Sequence, residues 1–513
     1  MKLKSESNIL FIVGVFFCII SLFVALNRNV WVDEAFTFSF VNADWQTLIG
    51  LIVTEELNMA PYYIFLKALA SIDNSVVTLR LFSTIPALLL LLTVYYFCRN
   101  YLSVRYSLLI CLFIATNQLF IRYAGEMRSY SWAMLFCTLA MVATINYLKK
   151  GNAKYLIYTA ASALVAFYLA FMSSLMTIYF ILILLIYTSK NKKEHFLLYV
   201  KCLATCFVLT LPVLYNIYVS EGVNLDWVKT PSIKDVYYLL VSLLGARWAE
   251  FEVHKVMSVI FFVGAVICSI YNIMLCARRS SRAENRELIV LANILCFSVI
   301  WTISVFFFIS LIQPIFVLRY MSMLIPVVMM IVGIGLYILP NRLSRLCLLC
   351  CYLLFSVFLL WNTNSATKYL HSENRNWNEV VALLKTKGCG ERDFISVQPF
   401  EMLRFNANVS NGDRKSNELK CLFASQPNYF SFDTGGINQG ISVHRDVRGK
   451  SDKLDTPNQL HNYRRVWLIR TNRDWSASNE LYSNLRDSGL HKEFTKVIGN
   501  VAVESWLVSN KES

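Results

Sequence analysis

Charge is scarce in this sequence. Only 16% of its 513 residues are Asp, Glu, Lys or Arg, while 56% are hydrophobic, and a water-soluble domain is nearer a quarter charged. The apolar surplus falls in long runs rather than in an amphipathic rhythm, which makes a bilayer the solvent for much of the chain. Also missing is any long basic stripe interleaved with exposed aromatics, so the net charge of +15 is no sign of nucleic-acid binding. Up to residue 361 the basic residues stand mostly in short clusters between apolar runs, as in cytoplasmic loops. Cysteine is nearly absent from polar sequence. Twelve of the 14 lie in or beside apolar runs, where a thiol behaves as a small hydrophobe. Cys389 and Cys421 alone lie in the polar C-terminal third, where export would let them pair. The one CxxC, Cys347 to Cys350, sits inside an apolar run with no His nearby, which argues against zinc. No small-x-small cleavage site follows the first apolar run, Ile9 to Leu26. That run comes after Lys2 and Lys4 and leads into Asn27-Arg28-Asn29-Val30-Trp31, so we read it as a retained span rather than a signal peptide. No internal repeat stands out.

What is there is a series of apolar segments. Eleven have roughly the 15 to 24 residues needed to cross a hydrocarbon core: 9–26, 77–98, 106–124, 130–148, 155–171, 174–188, 197–217, 254–276, 288–311, 320–339 and 346–361. With the N-terminus inside, the cytoplasmic segments are Arg99–Arg105, Lys149–Lys154, Lys190–Lys193, Arg278–Arg286 and 341–345. Every one is basic, and the opposite loops are poorer in Lys and Arg for their length, which is the positive-inside pattern. Trp31, Trp132 and Trp361 stand at membrane ends, as interfacial aromatics do. Residues 61–73 are apolar but too short to span, and counting them would invert every later loop. They are expected on the outer side, dipping into the membrane or lying along it, with 44–55 as an interfacial helix.

This threading divides the chain into a membrane domain, 1–361, and an extracytoplasmic domain, 362–513. The latter holds 21 basic and 17 acidic residues, a net of +4. Trp377–Lys387 has helical spacing, Asp393–Val397, Arg465–Ile469 and Ala502–Val508 read as strands, and 406–460 reads as long loops. The fold class is thus a polytopic α-helical membrane protein with a soluble α/β or α+β domain at its C-terminal end.

Function is sought where charge defies the membrane. Three outer-side places qualify. In Trp31-Val32-Asp33-Glu34-Ala35-Phe36-Thr37 two adjacent carboxylates follow the first span. Charged residues often flank helix exits; the alternative is a general base beside a low-dielectric cleft, able to take a proton from an acceptor hydroxyl or amine. In Arg122-Tyr123-Ala124-Gly125-Glu126-Met127-Arg128-Ser129-Tyr130-Ser131-Trp132, two arginines and a glutamate crowd a short outer turn. A structural ion pair is one reading, and guanidinium contact with a lipid phosphate the other. Arg319, in Gln313-Pro314-Ile315-Phe316-Val317-Leu318-Arg319-Tyr320, is the only Lys or Arg between Arg286 and Arg342. It is either a snorkelling arginine or another phosphate contact. All three clusters fall on one side under a topology fixed without them.

The first of these resembles the Asp-Glu motif in the first outer loop of the GT-C membrane glycosyltransferases, in the bacterial branch related to protein O-mannosyltransferases and aminoarabinose transferases. Ala60-Pro61-Tyr62-Tyr63-Ile64-Phe65-Leu66 resembles that branch's Pro-Pro-Leu-Tyr-Tyr segment, Glu126-Met127-Arg128-Ser129-Tyr130-Ser131 its Glu-Ala-Arg-x-Tyr-Ser motif, and Arg319-Tyr320 its Arg-Tyr pair. The resemblance covers about residues 8–340. It departs at Met59-Ala60-Pro61, where His-Pro-Pro is common, leaving Asn58 as the nearby polar residue. The resemblance implies an inverting transfer from a polyprenyl-phosphate-linked sugar donor. Asp33 would be the base and Glu34 would orient its loop or share its proton environment. Arg128 and Arg319 would stabilise the departing phosphate. Glu126 would position Arg128 or help hold a divalent cation, and Tyr63, Tyr130, Tyr320 and Arg122 would support these groups. A metal requirement is left open, since members of the fold differ in it. The acceptor would be an envelope glycan, a lipid or a protein on the periplasmic side of a bacterial inner membrane. The rival readings are a lipid-linked saccharide flippase or transporter, for which charge near the bilayer midplane and internal repeats are expected, an O-antigen ligase or polymerase, and a non-catalytic scaffold.

Overall fold

The computed structural model describes residues 2–28, 30, 32–54, 57–219, 228–245, 283–339, 346, 349–350, 377–388, 393–397, 464–471, 486–487, 489–498 and 501–508. Its helices are α1 (Lys2–Asn27), α2 (Val32–Asn42), α3 (Trp45–Thr54), α4 (Ala60–Ala70), α5 (Val76–Cys98), α6 (Val104–Ala115), α7 (Gln118–Ala124), α8 (Tyr130–Lys150), α9 (Lys154–Leu169), α10 (Ser174–Asn191), α11 (Lys193–Val219), α12 (Ile233–Leu243), α13 (Ala283–Ile312), α14 (Ile325–Ile338) and α15 (Trp377–Thr386). A 3-10 segment, Leu318–Leu324, leads into α14.

Among the described residues seven stretches are long and apolar enough to cross a membrane: Asn8–Leu26, Val76–Cys98, Tyr130–Lys150, Phe171–Asn191, Lys193–Asn216, Arg286–Ile312 and Leu318–Ile338. The pair α6 and α7 makes an eighth if read as one span bent by 67°, and α9 is a shorter apolar helix. Together they answer nine of the eleven expected spans. The expected span 254–276, and 346–361 apart from three residues, lie outside the described residues. The chain is a multi-pass helical membrane protein. Within the bundle Leu318–Ile338 is 89% buried and Lys193–Asn216 only 11%, so the former lies at the centre and the latter turns an apolar face outward. Gly333 lets α14 touch α6, since a Cβ there would fall 2.2 Å from the Ile110 side chain.

The break between α6 and α7 is a departure from the single run 106–124. Its cause is Asn117. The Asn117 side-chain oxygen accepts the Leu119 and Phe120 N–H groups, at 3.0 and 3.1 Å, which caps α7. Its amide donates to the Leu243 carbonyl at the end of α12, at 2.8 Å. The new helix start is thereby satisfied without water, as a membrane interior requires.

By its internal contacts the chain forms two compact units, 1–26 with 56–65 and 80–366, and 27–55 with 66–79 and 367–513. In the second, α3 falls where the spacing of 44–55 places a helix. Thr47 donates its amide and hydroxyl to Asp44, at 2.9 and 2.7 Å, and this holds the exposed Asp44 carboxyl below its ordinary range. Among the described residues the C-terminal part of this unit has a four-stranded sheet, β1 (Asp393–Val397), β2 (Arg465–Thr471), β3 (Leu490–Ile498) and β4 (Val501–Val508), in the order β1-β2-β4-β3. The β1–β2 pair is parallel and the other two pairs antiparallel. Trp467 and Trp506 are buried in its core with Val380 and Leu384 of α15. β3 is the strand the sequence reading lacked. It is a charged edge carrying Lys492, Glu493 and Lys496, with a register shift between Lys492 and Phe494, features that protect an edge and hide its period. The expected 406–460 loops and the Cys389–Cys421 pair lie outside the described residues.

Candidate active site

The residues that follow α7 are built as a turn rather than a helix. Gly125 ends α7, its N–H reaching the Ile121 and Arg122 carbonyls at 3.1 and 3.2 Å. A side chain there would press on α1, because a Cβ would meet Val24 Cγ1 at 3.0 Å. Glu126 is fully buried, and one of its oxygens accepts from Arg122 Nε at 2.9 Å, one helical turn back. Arg128 is buried too. Its Nη1 donates to the Tyr63 hydroxyl at 3.2 Å, and its guanidinium lies 5.9 Å from the Tyr130 ring centre. The Tyr63 hydroxyl in turn donates to Met59 Sδ at 3.8 Å. Met59 therefore engages the tyrosine at the place where the resembling family often has a histidine.

Arg319 lies half-buried on the 3-10 segment, its guanidinium 5.4 Å from the ring centre of Tyr320. Ser322 donates to the Arg319 carbonyl at 2.8 Å. Tyr123 lies beside the Arg122–Arg128 turn. It is buried, packs edge-on to Tyr130 at 5.1 Å, and its ring centre lies 6.0 Å from the Arg122 guanidinium. Within this unit, then, Tyr63, Arg122, Glu126, Arg128 and Tyr130 form one neighbourhood, and the 3-10 segment bearing Arg319 and Tyr320 packs against α8, which Tyr130 opens. Cation-π contacts of this kind hold a guanidinium in place without neutralising it.

Asp33 and Glu34 belong to the other compact unit. They form the first turn of α2, Glu34 fully buried and Asp33 half-buried. Thr37 donates to the Asp33 carbonyl at 3.1 Å. The first turn of a helix is where backbone N–H groups favour negative charge. Trp31 and the side chain of Asn58 lie outside the described residues. Among the described residues no group of three or more His, Cys, Asp or Glu gathers as a metal site.

The sequence reading passed over three polar residues of α5. Arg80 and Ser83 are fully buried and Thr84 nearly so. Ser83 and Thr84 reach main-chain carbonyls of the arginine turn, and Arg80 reaches one in the last turn of α1. A buried arginine inside the apolar run 77–98 was the signal available.

Comparison with known proteins agrees with this architecture. Residues 59–216 match the family described as dolichyl-phosphate-mannose-protein mannosyltransferase. That segment contains Tyr63, Arg122, Glu126, Arg128 and Tyr130. No curated protein sequence matches the chain. Among solved structures, ArnT from Cupriavidus metallidurans bound to undecaprenyl phosphate is similar at a TM-score of 0.56 and 11% identity, over 96% of this chain and 97% of that one. The same protein in its apo state gives 0.51 and 12%, with the same coverage. The chain thus shares the fold of ArnT, and its residues 59–216 are similar to the mannosyltransferase family.

Proposed function

We propose that the protein transfers a sugar from a polyprenyl-phosphate carrier to an envelope glycan, lipid or protein, with inversion, on the periplasmic side of a bacterial inner membrane. In this reading the N-terminus is cytoplasmic and a domain from about residue 362 is periplasmic. Arg128 carries the proposal: a buried arginine, held by Tyr63, within the segment that matches the mannosyltransferase family. The undecaprenyl phosphate bound to the similar ArnT supports a carrier of that kind.

The chemistry follows from charge. In the donor the phosphate is a diester with one negative charge. The acceptor oxygen attacks the anomeric carbon as its proton passes to Asp33, the bond from that carbon to the phosphate oxygen breaks, and polyprenyl phosphate leaves as a monoester with a second negative charge. Arg128 and Arg319 stabilise the charge that grows on the phosphate. Fixed cations in a water-poor site do this without reorganising. Glu34 orients the start of α2. Glu126 holds Arg122, and Tyr130 and Tyr320 flank the two phosphate-binding arginines.

The test is mass spectrometry of envelope glycans, lipids and proteins from cells with the wild-type protein, with D33N, and with none. A sugar-bearing product should appear with the wild type and fall by about 10²–10⁴-fold with D33N, the range a general base supplies, while the amount of protein in the membrane stays constant. Equal product from D33N and wild type would remove the proposed mechanism, and a scaffold would behave in that way.

A further inference from the structure

Arg80, Ser83 and Thr84 stand at i, i+3 and i+4 on α5, a spacing that puts them on one helix face. Each reaches a backbone carbonyl of another segment. Arg80 Nη1 donates to the Ala25 carbonyl at 2.9 Å. Thr84 Oγ1 donates to the Ala124 carbonyl at 3.0 Å, and Ser83 Oγ to the Arg128 carbonyl at 3.1 Å. Two of the three carbonyls are helix-end groups with no partner in their own helix, since Ala25 lies in the last turn of α1 and Ala124 closes α7. Where water is excluded such groups need a donor from elsewhere.

Ser83 is the centre of a chain of hydroxyls. Its single proton goes to the Arg128 carbonyl, so the Tyr62 hydroxyl, 3.1 Å away, is the donor to Ser83 Oγ. Ser131 donates to the Ser83 carbonyl at 2.7 Å. The far side of the same turn is also tied, as Ser129 donates to the Leu169 carbonyl at the end of α9. Arg80 fixes the end of α1 at Ala25, one residue from the Val24 that fills the space beside Gly125. The turn from Ala124 to Ser131 is therefore held on one side by this face of α5, and Arg128 projects from its middle. The side chain of Arg128 and the carbonyl of Arg128 are fixed by adjacent tyrosines, Tyr63 directly and Tyr62 through Ser83.

We infer that Ser83 and Thr84 are positioning residues that set where the Arg128 guanidinium meets the carrier phosphate. The inference rests on the proposed function, and Ser83 and Thr84 act through Arg128. A displacement near 1 Å at a group that must meet a developing charge costs on the order of 100-fold in rate.

The experiment uses the full-length protein in nanodiscs, with undecaprenyl phosphate as the binding probe and sugar transfer as the rate, both expressed per folded molecule. Four variants are compared with wild type: R128A, S83A combined with T84V, S83T and T84S. The S83A/T84V pair should weaken undecaprenyl phosphate binding about 10-fold and lower kcat by roughly 10- to 100-fold. S83T and T84S, which keep a hydroxyl donor, should stay within about 3-fold of wild type. If S83A/T84V lowers only the melting temperature, with binding and kcat per folded molecule unchanged while R128A loses both, the positioning role is overturned and the proposed function stands. If R128A itself binds and transfers as wild type does, the assignment of Arg128 to the phosphate falls, and the positioning role with it.

Discussion

The two ends of α8 both carry a pair of basic residues nearby, yet they are built differently. At the C-terminal end Lys149 and Lys150 occupy the last turn, and Gly151, with φ +66°, closes it through its N–H to the Tyr147 carbonyl. Both lysines are exposed. Lys149 pairs with Glu287 of α13 at the surface, and Lys150 lies over the Tyr155 ring. At the N-terminal end Arg128 is buried, its turn has a fully buried glutamate, and hydroxyls from α5 and from Ser129 hold the backbone. Composition alone does not separate these ends. A cation that only completes a helix terminus is left in water. One meant to meet a second charge is desolvated and over-determined by its neighbours, because a fixed charge acts more strongly where water is excluded.

The sharpest way to break this contrast is to remove one cation from each end. R128A should lower transfer by about 10²–10³-fold, the range seen when a preorganised electrostatic donor is lost, whereas K150A should leave kcat within about 2-fold because an exposed charge acts through high dielectric. Equal losses from both, measured as initial rates at saturating donor, would abolish the distinction. Next come the two glycines. G125V drives a branched side chain into Val24 and should cost about 1–3 kcal/mol of stability, with lost activity besides. G151A meets only its left-handed backbone and the flexible end of Lys192, so it should cost about 1 kcal/mol with activity intact. Thermal unfolding in detergent, paired with activity per folded molecule, separates the two. Smallest of all is K149M, which breaks the exposed pair with Glu287. It should shift stability by less than about 1 kcal/mol, and a larger shift in the same melting assay would mean that the C-terminal end of α8 is not merely solvated.

Much of the fold was legible because hydropathy and loop charge are averages over many residues. Nine of the expected spans have helical counterparts, and the α15, β1, β2 and β4 segments fall where their periods placed them. The same averaging hid what matters near the arginines. Arg80, Ser83 and Thr84 vanish into the apolar run of α5, although their i, i+3, i+4 spacing was in plain view. The break at Asn117 was lost in the same manner, since one polar residue barely moves a window mean and its partner, the Leu243 carbonyl, lies 126 positions away. Arg122, Glu126 and Arg128 were readable because they are crowded into seven residues. What made Arg128 a fixed group came from Tyr63, 65 positions earlier, and no local pattern reports that.

The strand order carries a consequence for how the C-terminal sheet is assembled. β1 pairs with β2 in parallel, so residues 398–464 have to be synthesised before this pairing can form. β4, later in the chain than any other described strand, lies inside the sheet between β2 and β3. The sheet therefore closes only after pairings far apart in the chain are made, which makes its formation late and entropically slow. A nascent chain halted before residue 501 would present β2 and β3 as two raw edges with no common partner, a state that a protease meets more readily than the finished one.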